Sequence, residues 1–128
     1  MGEHTDLTGP LEGATHQTFA GIEIDLFEVG DARVKRLVYQ PGGRWSEHVK
    51  PHVGTELCEH AHVGFLVQGR MAGEYADGCT FDYVAPTGVH IDPHHDTWVP
   101  GDEPAVLIEF DFGPETIQRL GISERHGH

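Results

Sequence analysis

The sequence predicts an all-β protein, an antiparallel jelly-roll barrel followed by a short C-terminal helix. Short runs of strand-like residues recur with turn signals every 8 to 12 residues or so, the spacing expected of a sandwich or barrel. The 17 glycines and 8 prolines among 128 residues supply those turns. No internal repeat or linker divides the chain, and its length suits one domain with one core.

Residues 1 to about 18 mix Gly, Pro, Thr and charge without periodicity and read as a loose arm, leaving 19–128 as the domain. Gly21 to Phe27 alternates apolar and acidic residues, the period of a half-buried strand. Gly30-Asp31 turns the chain into a second strand, Arg33 to Tyr39. Pro41-Gly42-Gly43 is turn chemistry, after which Arg44 to His48 reads as extended. His60 to Gln68 alternates again and ends at Gly69, with both faces apolar enough to suggest an outer face covered by a neighbour. Met71–Ala76 and Thr80–Val84 flank Asp77-Gly78, a two-residue hairpin signal in which both residues favour positive φ. Val89 to Ile91, Thr97 to Val99 and Ala105 to Phe112 complete the strands. Pro114 to Gly121 is the helix, with Pro near its start, Glu115 in its first turn and Gly121 at its stop.

Charge narrows the partners. With 21 acidic against 8 basic residues the net charge is −13, a field that repels phosphate backbones and anionic lipid. Neither nucleic acid nor a membrane surface is expected as partner. No apolar run approaches the roughly 20 residues that span a bilayer. The N-terminus has no basic and apolar signal pattern. Two cysteines are too few for a disulfide scaffold, so a reducing cytoplasm is the expected location.

Histidine carries the chemical signal. His48, His52, His60 and His62 fall within fifteen residues, and His90, His94 and His95 follow some thirty residues later. Imidazole is the commonest protein metal ligand, and such clustering suggests a metal site. On a strand His60 and His62 share a face, and two inward imidazoles need acceptors, water or a cation. His48, His60, His62, His90 and His95 are the candidate ligands. His94 and His95 read equally well as a solvated turn. Glu47 and Asp96, beside ligand candidates, are candidates to orient imidazoles or move protons, or else are solvated turn carboxylates. Cys58, two residues before His60, is either a thiolate ligand favouring zinc or a buried structural cysteine. Trp45, Phe65, Tyr83 and Trp98 are candidate pocket aromatics.

From Gly42 to Phe110 these residues resemble the cupins, small β-barrels that hold a metal through histidines from two motifs. The first cupin motif reads Gly, five residues, His-x-His, three or four residues, Glu, six residues, Gly. Gly54 with His60-Ala61-His62 matches its start, but then Leu66 or Val67 falls where glutamate belongs. Aligned by the closing strand and Gly69, the glutamate position falls on His62, the register preferred here. The second motif is matched loosely by Pro86 to Trp98, its usual histidine position falling on Thr97 and leaving His90 or His95 as the ligand. The missing glutamate points to an all-histidine site, similar to that of small cupin-type aromatic polyketide cyclases. That resemblance implies a divalent ion bound by four of the candidate histidines, zinc foremost, with iron, nickel or manganese as alternatives. It would act as a Lewis acid in cyclisation or aldol-type chemistry on a polyketide or β-dicarbonyl-like small molecule. The three-histidine cupin dioxygenases imply iron-dependent diketone cleavage instead, and a non-catalytic metal- or ligand-binding cupin is the third alternative. The resemblance also implies a homodimer.

Overall fold

A computed structural model describes residues 7–58 and 61–111. The helix expected at Pro114 to Gly121 lies outside the described residues, as does His60.

Two antiparallel sheets face each other. The larger has the order β1-β2-β3-β9-β4-β7 and the smaller β6-β5-β8. β1 is Thr15–Phe19, β2 Ile22–Val29, β3 Ala32–Tyr39, β4 His62–Gln68 and β5 Arg70–Tyr75. β6 is Thr80–Val84, β7 Thr87–Ile91, β8 His95–Trp98 and β9 Ala105–Asp111. Alternation decides which side chains enter the barrel. On β9, Ala105, Leu107 and Glu109 share one face, paired on β3 with Tyr39, Leu37 and Lys35. Leu66, Leu107 and Ile91 are almost fully buried with Met71 and Tyr75 of the opposite sheet, each worth roughly 1.5–3 kcal/mol of burial.

The barrel reading holds, and four local expectations change. Thr15–Phe19, placed in the arm by its polarity, is an exposed edge strand registered on β2. Upstream of it, Leu11 N–H donates to Asp25 and the Thr8 carbonyl accepts from Arg36, so residues 8 and 11 are fastened to the sheet. Arg44 to His48 is not extended. α1 (Trp45–His48) and α2 (Lys50–Val53) are short helical turns, the second with Pro51 in its first turn and Gly54 ending it at φ 80°. The outer face of β4 is open, with Val63 and Phe65 half exposed.

The hairpin at Asp77-Gly78 forms by different chemistry. Only Gly78 of the pair has positive φ, Gly78 N–H donates to Tyr75 O, and Asp77 Oδ1 accepts from Cys79 N–H. A longer loop whose left-handed residue is Gly78 replaces the two-residue turn.

Candidate metal centre

β4 and β8 lie in different sheets, and the space between them is where His62 and His95 meet. Their rings pack edge to face with centroids 5.1 Å apart. Cys58 joins them because the chain before β4 bridges to β8: Cys58 N–H donates to His95 O at 2.8 Å, and the Cys58 carbonyl accepts from His94 N–H. Ligand atoms of Cys58, His62 and His95 all lie within 4.8 Å of one another.

Ring orientation makes this more than proximity. His95 Nδ1–H donates to the Asp92 carbonyl at 2.6 Å, which leaves the Nε2 lone pair facing inward. That Nε2 is buried with no hydrogen-bond partner among the described residues. His62 Nδ1 is held by Glu109 Oε1, and its Nε2 lies 3.9 Å from Cys58 Sγ. Each imidazole thus spends Nδ1 on an acceptor, and His62 turns its Nε2 to the sulfur. Carbonyl and carboxylate partners on the remote ring nitrogen are the usual support of metal-binding histidines.

The charges behind the rings are ordered too. Glu109 is fully buried, and its other oxygen pairs with Lys35 Nζ at 2.9 Å. Lys35 also reaches Asp111 at 2.8 Å. Burial disfavours the Lys35 ammonium, but Glu109 and Asp111 outweigh it and hold its pKa above the ordinary 10.5. Burial likewise opposes an ionised Cys58. The His62 hydrogen bond and the adjoining charge of His62 and His95 overcome it, lowering the thiol from 9.0 to about 6. For His62, burial favours the neutral ring, while Cys58 and Glu109 together raise its pKa above 6.5.

The described residues thus fit a divalent ion: one thiol, two imidazoles whose Nδ1 atoms are committed to oxygen acceptors, and a buried His95 Nε2 without a hydrogen-bond partner among the described residues. Among the described residues the group able to hold an ion is a cysteine and two histidines, where the sequence led to an all-histidine expectation whose His60 lies outside the described residues. In the preferred motif register, with His62 at the glutamate position, Cys58 falls three intervening residues earlier, where the second histidine of His-x-His stands.

The remaining candidates separate. His48 is exposed on α1, and its ring Nδ1 lies 3.1 Å from the backbone of Arg44 one turn earlier. The helical turn that replaced the expected strand carries it away. His90 points outward because its strand neighbours Val89 and Ile91 point inward. Asp96 accepts from Arg44 Nε, Ser46 N–H and Ser46 Oγ–H, so it anchors α1 to β8. Glu47 is exposed. Sequence reasoning missed Glu109, whose signal was a carboxylate in the apolar run Ala-Val-Leu-Ile-Glu-Phe.

Of the aromatic candidates, Trp45 and Trp98 line a cavity of about 270 Å³ with Tyr39 and Met71. None of the three donors lines it. Tyr39 links the two places. Burial, with the charges of Glu109 and Cys58, raises its phenol well above 10.0, so it stays protonated.

Comparison with solved structures decides the fold. A cupin 2 conserved barrel domain protein from Salinispora arenicola aligns over 88% of this chain and 93% of its own, with TM-score 0.58 and 16% identity. The chain has the cupin fold. A cupin-2 domain from Rhodospirillum rubrum aligns over 82% of this chain and 73% of its own, with TM-score 0.60 and 14% identity. Hydroxypropylphosphonic acid epoxidase from S. wedmorenis aligns over 79% of this chain and 56% of its own, at 9% identity and TM-score 0.56. No family model and no curated relative matches the chain. Among the described residues no helix is long and apolar enough to cross a membrane.

Proposed function

We propose that this cupin-fold protein is a metal-dependent enzyme acting on a small organic substrate that bears a carbonyl, with Cys58, His62 and His95 holding the ion. The observation that carries this is the convergence of the three donors, with each Nδ1 already committed elsewhere. A thiolate with two imidazoles favours zinc, and three protein donors are the number found in catalytic zinc sites that keep a position open. A bound divalent ion supplies Lewis-acid polarisation of a substrate oxygen, as enolisation and aldol-type ring closure of a β-dicarbonyl require.

The chain's own residues supply the rest. Glu109 and Lys35 hold the His62 ring in one tautomer and one orientation. Tyr39, protonated and lining the cavity, donates a hydrogen bond to oxyanion character developing on the substrate. Trp45, Trp98 and Met71 exclude water from the bound substrate. That an epoxidase shares the fold supports catalysis as a use of this barrel, though one fold hosts many chemistries.

Elemental analysis of zinc-loaded protein, with His95→Ala alongside, tests the site, and an oxygen electrode tests the chemistry. The expected result is one zinc per chain, lost in the variant, with β-dicarbonyl turnover that consumes no oxygen. Oxygen uptake stoichiometric with product would replace Lewis-acid catalysis by oxygenation.

A further inference from the structure

The cavity lined by Trp45, Trp98 and Tyr39 has a wall of unusual charge for this chain. The net charge is −13, yet no Asp or Glu side chain lines the cavity among the described residues. Its cation is Arg44. The guanidinium carbon lies 4.3 Å from the centroid of the Trp98 ring, and Nε donates to Asp96 Oδ2 at 3.1 Å. Asp96 is itself fixed by Ser46 through two hydrogen bonds at 2.9 Å. The guanidinium plane is therefore set by a stacking surface on one side and an anchored carboxylate at its edge.

Those hydrogen bonds use Nε alone. Both Nη groups remain to donate, and the side chain, 39% exposed, is among those lining the cavity. A planar fork held in one orientation is matched to a carboxylate, which accepts two parallel N–H bonds with little further loss of side-chain freedom. Trp45, Trp98, Ile22 and Met71 give the same cavity a flat, apolar interior. At about 270 Å³ the space sits near the small end of ligand pockets.

We propose that this cavity binds a small amphipathic carboxylate, its aromatic or flat apolar body against Trp45 and Trp98 and its carboxylate on the Nη pair of Arg44. This names the substrate class of the activity proposed above and rests on reading the cavity as the place of that substrate. The fixed fork gives the substrate a defined end, with its reactive portion toward Tyr39.

The two tryptophans of the chain both line the cavity, so intrinsic fluorescence reports on it directly. The probes are 3-phenylpropanoate and the uncharged 3-phenylpropanamide, titrated into the zinc-loaded protein. The acid is expected to bind at least about tenfold more tightly than the amide, the margin of a charge-assisted bidentate pair. Arg44→Gln is expected to abolish that preference, and Arg44→Lys, which keeps the charge without the fork, to retain only part of it. Equal binding of acid and amide, absence of saturable quenching by either, or full preference persisting in Arg44→Lys or Arg44→Gln overturns the proposal. Zinc content is measured on the same samples. Loss of zinc from the wild type removes the metal reading, whereas the acid preference stands or falls by itself.

Discussion

Glu109→Gln probes the centre through a residue that touches no ion. The carboxylate is fully buried between His62 and Lys35, and glutamine keeps its shape while removing its charge. The amide has one acceptor and one donor where the carboxylate had two acceptors. Its oxygen turns to the Lys35 ammonium, which also keeps Asp111 at 2.8 Å and so is not orphaned. Its NH2 then faces His62 Nδ1. To accept that bond the ring moves its proton to Nε2, the nitrogen facing Cys58, and loses the lone pair that would hold a metal. Exchanging a carboxylate for a neutral amide in the bonds to Lys35 and His62 costs about 1–2 kcal/mol of stability in the metal-free protein. Disturbing the support of a ligand histidine lowers metal affinity by about 10- to 100-fold. Urea unfolding of the metal-free protein and cobalt titration followed by optical absorption read the two effects separately. Stability within about 0.5 kcal/mol of wild type together with unchanged cobalt affinity would refute the reasoning.

Other expectations follow from the same geometry. In the metal-free protein, iodoacetamide modification of Cys58 should titrate with a midpoint near 6, whereas Cys79, raised above 9.0 by burial and Asp77, reacts only at higher pH. A thiol lowered on folding contributes stability that is complete above 9.0 and drains away as pH falls to about 6. His62 is shifted upward, so its contribution is complete below 6.5 and is lost as pH rises through its folded value. The two windows overlap with opposite sign, and the urea midpoint of the metal-free protein should be flatter between them than Cys58→Ser or His62→Gln shows. Gly64→Ala should cost about 3 kcal/mol by urea unfolding, because a Cβ there would fall on the Ile108 backbone of the paired strand. His48→Ala and His90→Ala should leave zinc affinity within about twofold by competition with a chelator, since neither exposed ring belongs to the donor group.

The barrel was legible because turn residues punctuate short strand-like runs, and the strands Ile22–Val29, Ala32–Tyr39 and Ala105–Asp111 fall between them. Alternation was a weaker guide: on β2 Asp25 is buried and Phe27 exposed, and on β9 Ala105 to Glu109 are all buried. The segment between Arg44 and Val53 was not legible, because two single turns of helix, Trp45–His48 and Lys50–Val53, leave too few residues for a 3.6-residue period to emerge. His48 moved with that segment. The donor group was half legible. His62 and His95 stood out as histidines, but nothing local distinguishes a ligand cysteine from a packed one, and Cys58 reaches the site only by bridging to His95 across the fold. Glu109 was hidden for a related reason. Its partners are Lys35, seventy-four positions earlier, and His62, forty-seven earlier, so its meaning lies in pairing of strands and not in sequence neighbours.

X-ray absorption at the zinc edge of the loaded protein, with Cys58→Ser measured beside it, tests the central claim most directly. The expected first shell contains one sulfur and at least two imidazole nitrogens, and the sulfur disappears in Cys58→Ser. A wild-type shell of nitrogen and oxygen alone would contradict the assignment of Cys58, His62 and His95 as the metal centre.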